Sequence, residues 1–501
     1  MIRKVLMILC ALLLLLPGTV AGAESAQKAP DYILEGCDGD AGSHVWETNE
    51  FFTRLQAKTG VSFQFRQFAD NEKWTERKKE LLQKEDLPDV LFKASLTPAE
   101  TRDLYAAGVL IDLAPYLEQY APDLWALLEA HPDWKRAITL EDGAIPALPA
   151  FNTLQNNDAM WLNTSWLKRL GLEIPTTAEE LTEVLRAFKT RDPNGNHAED
   201  EIPLTFIGMW ELKFLGHAFG IVDNDYYVSE REGIVSSSLT SDQNRAFLTW
   251  LHELWEEGLI DHNGFNTADS LRQITDEKKT IPYGMMLSTS PLTVVPSAAL
   301  SQYEVLMPLA YEGRAEYRSL LGDEIRGTFA ITSACQAPEK LVAWVNNFYT
   351  EEVSRLALYG QEGEEYIWNE QGFWEWNAPM EDVANQILPE KTISEGGVAP
   401  GIADEEFQLK YADDAARTVI EQMSALRAKS RFPYPLVTLS KEDEERVAAL
   451  QLPLSRYAEA AMAAFVTGDT PLTDETWQAF VDTVNEKGLQ ELIAIWQKYV
   501  K

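Results

Sequence analysis

Cysteine, histidine and basic charge are all scarce in this chain of 501 residues. It has three Cys and six His, and its 43 Lys and Arg face 79 Asp and Glu, a formal net charge of −36. Three cysteines cannot build a disulfide framework in a chain of this length. The His are scattered, and no G-x-S-x-G elbow, H-E-x-x-H helix, P-loop or C-x-x-C pair occurs. The motif-borne nucleophiles, zinc sites and phosphate cradles of many enzymes are therefore missing. The acidic excess serves solubility first, and its field opposes nucleic acid, anionic membranes and polyanionic substrates. Past the N-terminus no apolar run is long enough to span a bilayer.

The N-terminus itself has a different character. Arg3 and Lys4 precede an apolar run over 5–16, then Pro17-Gly18 and small residues ending Ala21-Gly22-Ala23. That is the layout of a signal peptide with an A-x-A cleavage site, too short to serve as a spanning anchor. Residues 1–23 are expected to be removed and the mature protein exported, periplasmic or extracellular, without a membrane span. It would keep 41 basic against 79 acidic residues, a net charge of −38, together with Cys37 and Cys335. Export permits a disulfide between these two, and a pair of buried free thiols is the equal alternative. The length calls for more than one domain, and the 45% apolar content is that of a globular chain.

What the chain does have is concentrated at 191–203, RDPNGNHAEDEIP. Side-chain oxygens fall at alternate positions, Asp192, Asn194 and Asn196, with Asp200 and Glu201 closing the stretch. Alternation in a tight loop turns three oxygens toward one point, and Ala198 at loop position 7 is placed to add its carbonyl. Six to eight oxygens at about 2.3–2.6 Å is what Ca²⁺ takes. The loop departs from the EF-hand pattern, with His197 where Gly is usual and Pro203 in place of the closing Glu. An Asx/Gly surface turn would use the same residue types. Spacing alone leaves both readings open.

Thr177, with Glu180 three residues on, reads as a capping box that opens a helix. Leu181, Val184, Leu185 and Phe188 then form its apolar stripe and lead to the loop. The run over 166–204, WLKRLGLEIPTTAEELTEVLRAFKTRDPNGNHAEDEIPL, resembles the extracellular solute-binding proteins, family 1, of bacterial ABC importers. Within these it is most similar to the long oligosaccharide-type members that carry a calcium loop. The resemblance implies Ca²⁺ held by Asp192, Asn194, Asn196, the Ala198 carbonyl, Asp200 and Glu201, in a structural role. Many relatives carry a lipidated Cys just after the apolar run. Here Cys10 lies inside the run and Cys37 well past it, so a lipid anchor is not expected.

The rest of the chain fits in order. Residues 31–37 have the short apolar centre of a first strand, Trp46, Phe51, Phe52 and Leu55 read as a helix ending at Gly60, and VSFQFRQF is an alternating strand. A helix over 73–84 precedes the buried strand LPDVLF, and Thr97 with Glu100 caps another. Strand–helix alternation of this kind argues for an α/β lobe with a mainly parallel sheet. DGAIPALPAF at 142–151 matches a first crossing strand, 305–332 a return, and 465–481 the helical C-terminal region of the family. The resemblance implies a two-lobed α/β, Venus-flytrap fold of the periplasmic-binding-protein type. The N-terminal lobe would hold 24–150 and about 303–345, and the C-terminal lobe 151–302 and about 346–501.

Fifteen Trp and 17 Tyr are many for one chain. Sugar rings present flat C–H faces to aromatic side chains, and their hydroxyls need polar partners. By position, the ligand contacts expected are Trp46 after the first strand, Trp161 before the second lobe's first helix, and Trp210 beyond the loop. Tyr283, Trp374 and Trp376 join them, with Arg318 and Asp323 as hydroxyl partners. The reading is a non-catalytic, monomeric protein that captures a carbohydrate, in particular an oligosaccharide, between its lobes. It would deliver that ligand to the permease subunits of an ABC importer. Paired carboxylates abound among 79 acids, so an exported glycoside hydrolase or lyase stays an alternative. So does a binding protein that serves a surface sensor kinase.

Overall fold

The computed structural model describes residues 31–38, 45–152, 158–266, 268–275, 279–319, 327–370, 372–394, 398–403, 405–434 and 437–500, with backbone alone at 269 and 270. The signal-like segment 1–23 and Asp323 lie outside the described residues.

Two four-stranded sheets organise the chain. In the first, Tyr32–Cys37 lies between Phe63–Phe68 and Val90–Leu96, parallel to both. Gly327–Ile331 adds an antiparallel edge beside Val90–Leu96. Near-continuous apolar strands suit a sheet covered on both faces, and Leu34, Val90 and Phe92 are fully buried. The helix Glu50–Thr59 starts at Asn49, whose side chain accepts from the Phe51 N–H, and stops at Gly60 with φ 72°. Phe51, Phe52 and Leu55 carry it into the core. The helix expected over 73–84 is Asn71–Glu80 followed by a 3₁₀ turn over Leu81–Gln83.

The second sheet is mixed. Ala159–Asn163 is antiparallel to Tyr283–Ser288 and to Tyr303–Val305, and only Ile202–Thr205 runs parallel to Tyr283–Ser288. The parallel pattern seen in the first half of the sequence thus does not extend here. Ala178–Thr190 and Asp242–Glu256 cover this sheet with the apolar stripes expected of them. Thr177 does cap the first of these helices. Glu180, however, turns its carboxylate to the Thr176 N–H and hydroxyl, both at 2.8 Å, one residue earlier than a capping box requires. The box at Thr97 and Glu100 forms as expected. The C-terminal helices Lys441–Thr467 and Asp474–Glu486 pack Leu454, Ala458, Phe465 and Phe480 into the second core.

The return to the first sheet differs from the sequence reading. Tyr303–Val305 stays in the second sheet, with the Tyr303 hydroxyl donating to the Tyr283 carbonyl at 2.6 Å. Tyr317–Arg318 pairs with Ser430–Arg431 outside either large sheet and stays with the second core, the Tyr317 hydroxyl donating to the Asp158 carbonyl at 2.7 Å. The chain rejoins the first sheet at Gly327, where a Cβ would lie 2.7 Å from that of Ala147. Helices Pro338–Asn346 and Glu351–Tyr359 then remain in the first core through Trp344, Phe348 and Val353. Trp344 packs against Phe63, Phe92 and Phe329, so leaving this lobe at 346 would strip the sheet of its cover. Cys37 and Cys335 form no disulfide. Burial pushes the Cys335 thiol up to about 11.

Candidate functional site

Open α/β sheets bind ligands beyond the carboxyl ends of their parallel strands. In the first sheet those ends are Cys37, Phe68 and Leu96. Asp38 directly follows Cys37 and is buried, with Trp46 Nε1 and Lys93 Nζ both on its carboxylate. Lys93 also donates to the Ile393 carbonyl at 3.0 Å. It holds φ 51° within a strand, beside the irregular register of Gly327 and Phe329. Burying a charge is costly unless it is paired and hydrogen-bonded, and both conditions are met here. Trp46 is itself fully buried among Phe52, Phe65 and Phe92. It braces this cluster and turns no ring face outward.

In the second sheet, Thr205 ends its strand and the chain turns into the short helix Gly208–Leu212. Trp210 projects from it, 46% exposed, the one ring among the expected Trp contacts that stands open. One residue on, Glu211 is buried and receives both terminal nitrogens of Arg272, at 3.0 and 2.8 Å. Trp161 and Tyr283 lie inside the core. The Trp161 indole donates to the Ser288 carbonyl at 3.0 Å and the Tyr283 hydroxyl to the Arg272 carbonyl at 3.0 Å. Arg318 is buried over the Phe214 ring, bonded to the Asp223 carbonyl at 2.9 Å and to Asp225 at 3.1 Å.

Trp374 and Trp376 share a hairpin strand opposite Tyr366–Trp368, with their rings 4.8 Å apart at 71°. Tyr359, Phe407 and Tyr411 complete an aromatic cluster around them. The Trp374 indole N–H is buried and has no acceptor among the described residues. The sequence reading does not single out Asp38, Lys93, Glu211 or Arg272. The one available signal was a Lys inside the otherwise apolar strand VLFKASL.

The loop after Ala178–Thr190 folds about its oxygens. Asp192 Oδ1 accepts from the N–H groups of Gly195 and Asn196, at 2.9 and 3.1 Å. Asn194 and Asn196 accept in turn from the Asn196 and Ala198 N–H groups, at 2.9 and 2.8 Å. Their amides also reach Asp200, at 3.1 Å from Asn194 and 3.0 and 2.9 Å from Asn196. One oxygen of Glu201 is buried without a hydrogen-bond donor among the described residues. Burial, and then the charges of Asp200 and Asp192, hold the Glu201 carboxyl above its ordinary range. Among the described residues no three His, Cys, Asp or Glu side chains form a metal-binding group. A hard cation here would depend on the amide and main-chain oxygens as well. The donor chemistry and the unmet Glu201 oxygen fit such an ion.

No family model matches the chain. By sequence it is 26% identical over 523 residues to the fructooligosaccharide ABC transporter substrate-binding protein FusA of Streptococcus pneumoniae, covering 95% of this chain and 94% of that one. The structure of FusA in complex with kestose superposes with a TM-score of 0.70 at 25% identity, over 93% of this chain and 98% of that chain. A FusA structure described as an EF-hand mutant, in complex with fructo-nystose, superposes equally well, at 0.70 and 24% identity over the same shares. An extracellular solute-binding protein from Bifidobacterium longum subsp. infantis shares the fold, with a TM-score of 0.77 at 22% identity over 94% and 99% of the two chains. Over nearly its whole length, then, this chain is a homologue of the substrate-binding proteins of ABC transporters and has their two-lobed fold.

Proposed function

We propose that the protein captures an oligosaccharide between its lobes and presents it to the permease of an ABC importer, with no covalent step. The observation that carries this reading is the end-to-end similarity to FusA, whose solved complex holds kestose. Closure by hinge motion would bury the ligand. Trp210 offers an open ring face and Trp376 a half-buried one, and the unmet Trp374 N–H offers a donor to a sugar hydroxyl. The buried Asp38–Lys93–Trp46 and Glu211–Arg272 sets hold the two strand ends in place behind them. We read 1–23 as a signal peptide and the mature protein as exported and monomeric.

The loop at 192–201 would hold Ca²⁺ through Asp192, Asn194, Asn196, the Ala198 carbonyl, Asp200 and Glu201. The ion would neutralise charge on Asp192, Asp200 and Glu201 and fix the junction of helix and strand. It has no part in ligand chemistry. Calorimetric titration of the mature protein with neutral and acidic oligosaccharides, paired with an assay for their cleavage, tests the function. Saturable binding without products is expected. Release of fragments would transfer the protein to the carbohydrate-active enzymes.

A further inference from the structure

A cavity of about 360 Å³ opens within the second lobe, apart from the strand ends described above. Its charged lining is balanced. Arg231, Arg314 and Arg431 face Asp223, Glu312 and Glu316, in a chain where acids outnumber bases by 79 to 43. Arg231 meets Glu316 at 2.7 Å, and Arg431 Nε lies 3.7 Å from the same carboxylate. Arg431 Nη1 is bound to the Glu230 carbonyl at 3.0 Å, while its buried Nε has no hydrogen-bond acceptor among the described residues. Asp223 is held by the Ser238 N–H and hydroxyl, at 2.8 and 2.7 Å.

One wall is aromatic. Phe219 and Tyr311 stand 6.5 Å apart at 33°. Gly220 between them has φ 77°, and a Cβ there would lie 2.9 Å from the Tyr311 ring. Any side chain at 220 would meet that ring, on a backbone conformation that favours glycine. Behind the wall, His217 is spent on structure, with Nδ1 on the Phe214 carbonyl at 2.6 Å and Nε2 accepting from the Leu309 N–H at 3.0 Å.

Fixed donors and acceptors without net charge, set beside a ring face, are what a neutral polyhydroxy ligand requires. An anion would gain nothing from a balanced lining, and a wholly apolar ligand would leave the Arg431 Nε unmet. The volume lies at the small end of ligand pockets. We propose that this cavity is a subsite for a neutral sugar unit, with Tyr311 as its stacking platform and Arg431 Nε as a hydroxyl-directed donor. The inference rests on the function proposed above.

The test is calorimetric titration of the mature chain with kestose, raffinose, maltotriose and trigalacturonate. Wild type is compared with Tyr311→Ala, Tyr311→Phe and Gly220→Val, each checked for an unchanged far-UV spectrum. At least one neutral trisaccharide should bind wild type. Tyr311→Ala and Gly220→Val should weaken it tenfold or more, and Tyr311→Phe, which keeps the ring, should stay within threefold. Wild-type affinity in both Tyr311→Ala and Gly220→Val would overturn the subsite and leave the proposed function standing. Binding of trigalacturonate alone would overturn its neutral assignment, and no binding by wild type would remove both readings.

Discussion

Arg272 grips Glu211 with both terminal nitrogens, at 3.0 and 2.8 Å, and neither side chain is more than 2% exposed. Removing one member of such a pair leaves an uncompensated buried charge, a loss of about 3–5 kcal/mol. Arg272→Ala should therefore unfold at markedly lower denaturant concentration. Arg272→Met paired with Glu211→Leu should recover much of the difference, because both charges then leave together. Equal midpoints for wild type and Arg272→Ala would contradict the pairing.

Calcium at the 192–201 loop would stabilise the native state alone, by about 2.7 kcal/mol at a hundredfold excess over the dissociation constant. Stripping metal with EDTA should lower the melting temperature, and Ca²⁺ should restore it. Asp192→Ala should melt at one temperature in both conditions. Identical melting curves for stripped and reloaded wild type would remove the ion from the loop.

Trp210 is exposed where a strand end opens, and Trp376 is half-buried on its hairpin. Truncating either to Ala should weaken oligosaccharide binding about tenfold, or about 1.4 kcal/mol, with the melting temperature unchanged. Titration calorimetry with a bound glycan decides it. Undiminished affinity in both variants would place the ligand elsewhere.

Burial pushes the His217 imidazole down to about 4 from its ordinary 6.5, so it is neutral in the fold. The unfolded chain takes up that proton first as pH falls. Stability contributed by the neutral ring is thus complete above about 6.5 and is lost between there and about 4, up to about 3 kcal/mol. Denaturant midpoints measured across this range should drop, and His217→Gln should show a shallower fall. Parallel slopes in both proteins would refute the assignment.

Local pattern and chemistry explain which features the sequence makes legible. Ala178–Thr190 and Asp242–Glu256 are visible because their apolar stripes recur at helical spacing over three or more turns. The oxygens at 192–201 are visible because they are adjacent in the chain. Tyr303–Val305 is not, because three residues carry no usable period and its register is set by Ala159–Asn163. Trp46, Trp161 and Tyr283 point inward, since ring burial depends on helices and strands far along the chain. Lys93 and Asp38 are drawn together by the sheet, and Arg272 reaches Glu211 from 61 residues away.

The antiparallel edge at Gly327–Ile331 bears on biogenesis. Its neighbour Thr332 bonds the Pro88 carbonyl across 244 residues, and Trp344 roofs the strands laid down first. Nothing local can complete that sheet, so the nascent N-terminal half has no finished core until synthesis passes Trp344. Pairings this remote in sequence form slowly. A polypeptide that postpones its own compaction stays threadable for longer, which would suit the export proposed above.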